Sequence, residues 1–321
     1  MGVFMKKTIF FILIVFIFAY NISCIQRTPS IYVVGVEENI LNQIGDAVYW
    51  VNGQRSVLPK TNKYSSASAV AASGSNIYIV GSDGFDAVYW LNGNQTILPR
   101  LNSLEGTYSW AEAYSIVISG SNIIIAGTDD AHSVYWYNGH HTILNKDGFA
   151  NAITIYGSDI YTAGTVGDNA VYWVNSKQFT LPLIDPNLIA DYPYSIAVSE
   201  ANIHIVGTTT LDAFHWHNGR SIVLPKLNSE AGANSIAING SDIYIAGYDG
   251  NDAVYWLNGR RFVLPRINIQ AGATAITIFD SNIYIAGRDG DDAVYWINGN
   301  RVLLPRKLGS SAKAYGIVVV Q

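Results

Sequence analysis

The chain has 321 residues, of which 49% are hydrophobic, 12% aromatic and only 13% charged. That length allows two ordinary domains or one large repeat domain with ample core, and the aromatic content excludes a disordered chain. A net charge of -5 without a long basic run excludes an obvious nucleic-acid binder, and a single cysteine excludes a disulfide framework or a Cys-cluster metal site.

Residues 1–23 read as an address. Lys6 and Lys7 precede Thr8 to Ala19, an apolar run of signal-peptide length and too short to span a bilayer comfortably. Cys24 follows with Ser23 before it, the arrangement of an acylated cysteine in a bacterial lipoprotein. Asn21 stands where an aliphatic residue is usual, so a plain secretory signal with an incidental cysteine is the alternative. Residues 24–30 form a short tether. No later run is long enough for a span, so membrane contact is expected through a lipid anchor only.

The phrase Ala-Val-Tyr-Trp-x-Asn-Gly then recurs, with its tryptophans at Trp50, Trp90, Trp136, Trp173, Trp216, Trp256 and Trp296. Steps of 40, 46, 37, 43, 40 and 40 residues indicate a solenoid, propeller or array. Each repeat reads as four short strands, A to D. In the sixth these are Ser235–Ile238, Ile243–Gly247, Ala253–Leu257 and Arg261–Leu264. Asn258-Gly259 joins C to D as a type I′ hairpin, whose central residues both need positive φ. Strands A to C are apolar at nearly every position, which a sheet covered on both faces requires. Strand D ends in proline in six repeats (Pro59, Pro99, Pro182, Pro225, Pro265 and Pro305), which places it on an exposed edge.

The chain ends are complementary. The first repeat opens with strand B at Ile31, and an orphan strand A, Tyr315 to Val320, closes the sequence. The expected fold is an all-β, seven-bladed β-propeller over residues 31–321, with four antiparallel strands per blade and the C-terminal strand completing blade 1. A β-solenoid is the runner-up, but it would not need complementary ends.

The Tyr-Trp-x-Asn-Gly…Leu-Pro repeat is similar to repeats in exported bacterial proteins of unknown function, over residues 31–321. The resemblance implies the propeller fold and export, and it brings no catalytic residues with it. WD40 and kelch repeats are matched in size only, because the Gly-His…Trp-Asp pair and the kelch double glycine are missing.

Departures from the repeat mark a candidate binding face. Blade 1 carries a six-residue insertion between strands B and C, within Val36 to Gly45, and Leu101 to Glu112 precedes blade 3. B–C and D–A loops share one face of a propeller, and rigid scaffolds present binding residues on such loops. A site is expected around Trp110, Tyr108, Tyr114, Tyr192 and Tyr194, with Glu37, Glu38 and Glu112 nearby, because exposed aromatics anchor partners and stack on ligands. The alternative is that these aromatics cap blade ends or the channel mouth.

Other groups invite chemistry. Asp-Gly-x-Asp recurs at Asp83, Asp249 and Asp289. Oxygen-rich loops can hold Ca²⁺, but two acids are few for its shell, and Asp-Gly also favours tight turns, so no cofactor is expected. His215 and His217 share one strand face near His204, without a clear third metal ligand. Lys60, Arg100, Lys226, Arg266 and Arg306 follow strand D, as a basic ring toward an anionic partner or as soluble edges. Strand A begins with small or plain residues, and no nucleophile–base pair or carboxylate pair stands out.

The functional expectation is an exported, lipid-anchored monomer of the cell envelope that binds or scaffolds a protein or glycan through the D–A/B–C loop face. The alternatives are a surface lectin or adhesin with repeated sites, and a propeller hydrolase or lyase with an unrecognised site.

Overall fold

A computed structural model describes residues 28–42, 44–101, 109–184 and 191–321. The signal segment, Cys24 and Tyr108 lie outside the described residues. Seven four-stranded antiparallel sheets form the blades of a β-propeller, each in the order A-B-C-D. Blade 1 combines the C-terminal strand Ser310–Val320 with Ser30–Asn39, Gly45–Val51 and Gln54–Val57. Pairing runs from Ser30↔Val320 to Asn39↔Ser310, so the complementary ends meet and close the ring.

The Asn-Gly hairpins behave as their chemistry requires. Asn52 and Gly53 take φ of 49° and 82°, and the Asn52 side chain accepts the Ile31 N–H at 2.8 Å. Each hairpin thereby caps the start of strand B.

The strand C tryptophans are the largest buried side chains and fill the interfaces between blades. Five of their indole N–H groups donate to a carbonyl of the preceding blade. Trp90 donates to the Pro59 carbonyl at 2.8 Å and Trp256 to Pro225 at 2.8 Å, while Trp50 donates to Pro305 at 2.8 Å across the ring closure. The proline ring sits on an exposed edge, as its missing N–H demands, and its carbonyl latches the neighbouring blade. Among the described residues two indoles have no partner: Trp173 Nε1, which follows a strand D ending Leu144-Asn145 without proline, and Trp216 Nε1, although Pro182 precedes it.

Strand A contains a β-bulge in every blade. In blade 2, Ala67 pairs with Gly81 and Ala69 with Val80, leaving Ser68 unpaired. The same shift leaves Tyr114, Asn151, Tyr194, Asn234, Thr274 and Tyr315 unpaired in the other blades. A bulge re-aims a side chain at a fixed place in a sheet. The partner glycine on strand B follows from it. A Cβ on Gly35, Gly81, Gly127, Gly164, Gly207, Gly247 or Gly287 would collide with the strand A carbonyl just before the bulge.

The loop carboxylates serve as clamps. Asp83 accepts the backbone N–H groups of Thr61 (2.6 Å) and Asn62 (2.9 Å), tying a B–C turn to a D–A loop. Asp249 and Asp289 do the same and also pair with strand D arginines, Arg261 at 2.6 Å and Arg301 at 2.7 Å. Burial alone would raise these carboxyls, but the N–H donors outweigh it and hold all three below the ordinary range. In the five blades with an acid four residues before the tryptophan, that acid takes the base that follows strand D. Lys60 meets Asp46 at 2.7 Å, Lys226 meets Asp212 at 2.6 Å and Arg306 meets Asp292 at 2.7 Å. The ring of bases is therefore tied into the loops.

Candidate functional site

The bulges converge on the propeller axis. Buried positions on strand A are spaced by three, as in Ala113 and Ile116 or Ala233 and Ile236. Strict alternation would place buried residues two apart. The extra residue changes parity, so the intervening side chain turns out of the blade interface toward the axis. A cavity of about 450 Å³ is lined by Ser66 and Ser68, Glu112 and Tyr114, Tyr194, Asn234, Thr274 and Tyr315, with Tyr64 at its edge. These residues come from six blades, which only the axis can bring together. The cavity is a cup at the channel mouth, on the face of the B–C and D–A loops.

The bulge residues divide into two kinds. Asn151 donates to the Pro193 carbonyl at 2.8 Å, Asn234 to Ala273 at 2.7 Å, and Thr274 to Ala314 at 2.6 Å. These three tie adjacent blades. Tyr114, Tyr194 and Tyr315 present their phenols to the cup, beside Ser68, Asn234 and Thr274, and burial raises all three phenols. They stay protonated, able to donate and accept.

One acid lies among them. Burial pushes the Glu112 carboxyl up, and the Tyr114 phenol beside it partly offsets this. At the outer edge the Tyr64 hydroxyl donates to Glu38 at 2.9 Å, and Lys313 stands 3.9 Å from the same carboxylate. Burial, then this bond, raises Tyr64.

The candidate residues from sequence therefore separate. Tyr114, Tyr194 and Glu112 come together in the cup. Glu38 stands at its margin, in a neighbouring cavity that shares Tyr64. Tyr192 is exposed on the rim, two residues before Tyr194. Trp110 lies outside the cup, its ring 6.2 Å from that of Phe149. Glu37 is 2% exposed and bound to Arg55 at 2.6 Å, the blade 1 counterpart of the aspartate clamps. Its carboxylate belongs to the scaffold. The insertion in blade 1 extends the B–C hairpin by the pair Glu38↔Gly45 and exposes Ile40 and Leu41 at its tip.

The expectation of plain residues at the start of strand A is corrected. The two positions there, two and four residues before the buried apolar residue, change from blade to blade. They hold Tyr315 and Lys313, Tyr114 and Glu112, or Tyr194 and Tyr192. Tyr64, Ser66, Ser68, Asn234, Thr274 and Tyr315 were missed. The odd spacing of buried Ala and Ile in each strand A is the signal that would have found them.

No protein-family profile matches the chain, and no curated protein matches it. Among solved structures, a chain of the computationally designed Ika8 protein has 13% identity and a TM-score of 0.46, covering 84% of this chain and 77% of that one. A chain from a nidogen/laminin complex has 12% identity and a TM-score of 0.48, covering 76% of this chain and 98% of that one. Neither similarity bears on what the cup holds.

The histidines form a separate cluster on blade 5. His204 Nδ1 lies 3.0 Å from His215 Nε2, and His217 stacks on His204 with centroids 4.3 Å apart. The three rings are nearly parallel, with interplanar angles of 13°, 10° and 6°. Metal ligands need lone pairs converging on a point, and parallel stacked rings do not supply that. Among the described residues no group of three His, Cys, Asp or Glu could hold a metal ion. Burial, then the neighbouring rings, pulls His204 and His215 down to about 4.

Proposed function

We propose that this protein is an exported binding module that takes a glycan segment into the cup at the mouth of its channel. The observation that carries the reading is the convergence of the bulge residues. The otherwise similar blades place different residues toward one cavity, and there they bring together tyrosines, a carboxyl and neutral hydrogen-bonding groups. Phenol rings offer flat apolar faces and a polar tip, and few convergent polar groups fix orientation. Because the blades contribute different residues, the cup is one composite site rather than seven repeated ones. We treat Glu112 and Tyr114 as a recognition pair and assign no reaction to them.

In this reading residues 1–23 direct export and Cys24 carries the lipid. The fold supports the geometry. Strand B of blade 1 starts beside the Asn52 hairpin, on the face opposite the cup, so a tether ending at Ser30 leaves the cup turned away from the membrane.

A second reading is favoured by Leu41, Leu227, Ile267, Ile269 and Leu308, which stand almost fully exposed on loops around the same face. Apolar rims of this kind suit a protein partner.

The test is a glycan array probed with the purified full chain and with Tyr114→Ser, Tyr194→Asn and Tyr315→Thr. Each substitution installs a residue that another blade carries at the same bulge, so the fold is retained. Loss of the array signal with unchanged melting supports the cup. Array hits kept by all three variants, or no hits with a protein captured instead through the apolar rim, would overturn it.

A further inference from the structure

The cup continues into a groove of about 790 Å³ between blades 6 and 7, which shares Asn234 and Thr274 with it. Its existence follows from a swap in the repeat. Blades 1 to 5 carry a side chain four residues before the buried strand A position (Lys313, Ser66, Glu112, Phe149 and Tyr192). Opposite it, after the strand B glycine, they carry Val36, Ser82, Thr128, Thr165 and Thr208. Blades 6 and 7 reverse this. Gly232 pairs with Tyr248 and Gly272 with Arg288.

The two glycines differ in purpose. A Cβ on Gly232 would strike the Tyr248 ring at 2.5 Å, so that glycine seats the tyrosine. A Cβ on Gly272 would meet nothing within 4 Å, and its φ is not positive. Glycine in a strand weakens it, and here neither backbone conformation nor packing requires it. What Gly272 provides is open floor.

Arg288 borders that floor. The other arginines of blade 7 are engaged, Arg301 with Asp289 at 2.7 Å and Arg306 with Asp292 at 2.7 Å. Arg288 makes no hydrogen bond or ion pair among the described residues and lines the groove beside Tyr248, Asn234 and Gln270. Of the acids there, Asp252 is taken by Arg266 at 2.9 Å, and Glu230 is exposed on the rim.

Resting on the reading of the cup as a glycan site, we infer that this groove is a subsite for a carboxylated sugar. The Arg288 guanidinium takes the carboxylate. Its planar fork suits bidentate pairing with carboxylate oxygens. The Tyr248 ring faces the sugar, and the Asn234 and Gln270 amides suit its hydroxyls. A peptide anchor is disfavoured because Ala271 is the one aliphatic residue lining the groove.

The test uses the full chain with an oligogalacturonate, its methyl ester and the matching neutral oligogalactose. Calorimetry reads affinity, and ¹⁵N NMR reads the Arg288 Nε–H signal. Wild type is expected to prefer the acid roughly ten- to hundredfold, the scale of a charge-assisted hydrogen bond. Arg288→Thr, which installs the residue of blades 3 to 5, abolishes that preference and leaves binding of the neutral oligomer. Gly272→Tyr, the blade 5 residue, fills the floor and removes acid binding with unchanged melting. Equal affinity for acid and ester, or a preference kept by Arg288→Thr, would overturn the subsite while leaving the cup standing. An Arg288 signal shifted by the acid, with binding indifferent to Tyr194→Asn, would keep the subsite and overturn the cup. Absence of binding by all three oligomers would overturn the subsite.

Discussion

The backbone carbonyl of Ser66 occupies the space where a Cβ on Gly81 would stand. This relation links the bulge that builds the cup to the glycine that ends each strand B core. It predicts opposite outcomes for Gly81, on strand B of blade 2, and Gly272, on strand A of blade 7. Gly81→Ala forces the bulge to move and is expected to cost about 1–3 kcal/mol, the usual scale of overpacking. Gly272→Ala enters open space at an ordinary φ and is expected to be neutral or to stabilise by up to about 1 kcal/mol through the unfolded chain. Urea denaturation of both variants checks this, and equal destabilisation would contradict the account.

The indole latches can be weighed against each other. Trp256→Phe leaves the Pro225 carbonyl without its donor, whereas the Trp173 Nε1 is already unpartnered. Both indoles are fully buried, so the lost volume is common to Trp256→Phe and Trp173→Phe. Trp256→Phe is expected to be the more destabilising by about 1–2 kcal/mol, the worth of a buried hydrogen bond. The difference is read from paired denaturation curves, and parity would show that the latch contributes nothing.

Much of the architecture was legible because a repeat multiplies weak signals. The Asn-Gly turns, the spacing of the tryptophans and the complementary Ile31 and Tyr315 strands each recur or interlock, and together they specify a closed ring. The cup was harder to read. Bulge residues such as Ser68, Asn151 and Tyr194 have no shared chemistry, so no motif marks them. Their shared property is parity, which shows only when the buried Ala and Ile positions are found to be three apart. The sequence drew the eye to Trp110 and Glu37 as irregular residues. Trp110 packs against Phe149, and Glu37 merely replaces the aspartate of a clamp. Irregularity within a loop and exposure to a ligand are different properties, and only the folded arrangement separates them.

The clamps make acid sensitivity a property of the carboxyls. Asp289 is fully buried, accepts the Ile267 and Asn268 N–H groups at 2.9 Å each, and pairs with Arg301. Its folded value lies below the ordinary one, so its stabilisation is complete above the unfolded carboxylate range and is lost as pH falls through the folded value. Asp289→Asn is expected to cost on the order of 3 kcal/mol at neutral pH by stranding Arg301. The gap between variant and wild type should narrow as pH drops below about 4, the ordinary aspartate value. A gap independent of pH would show that the charge is not what matters.

The blade 5 histidines act in a higher window. His204 and His215 are 5% and 8% exposed, hydrogen-bonded to each other, and pulled down to about 4 from an ordinary value of 6.5. The unfolded chain therefore binds more protons than the folded one between these values, and stability falls as pH drops from about 6.5 to about 4. For the coupled pair the loss is expected to be on the order of 3 kcal/mol across the window. Blade 6 carries Tyr244 and Tyr255 at the same two positions, so the double change His204→Tyr with His215→Tyr restores the common repeat and should flatten this part of the profile. Thermal melts of both proteins at half-unit pH steps decide it. A wild-type melting temperature that stays level down to pH 4.5 would mean that the imidazoles accept protons without disturbing the interface between blades 5 and 6.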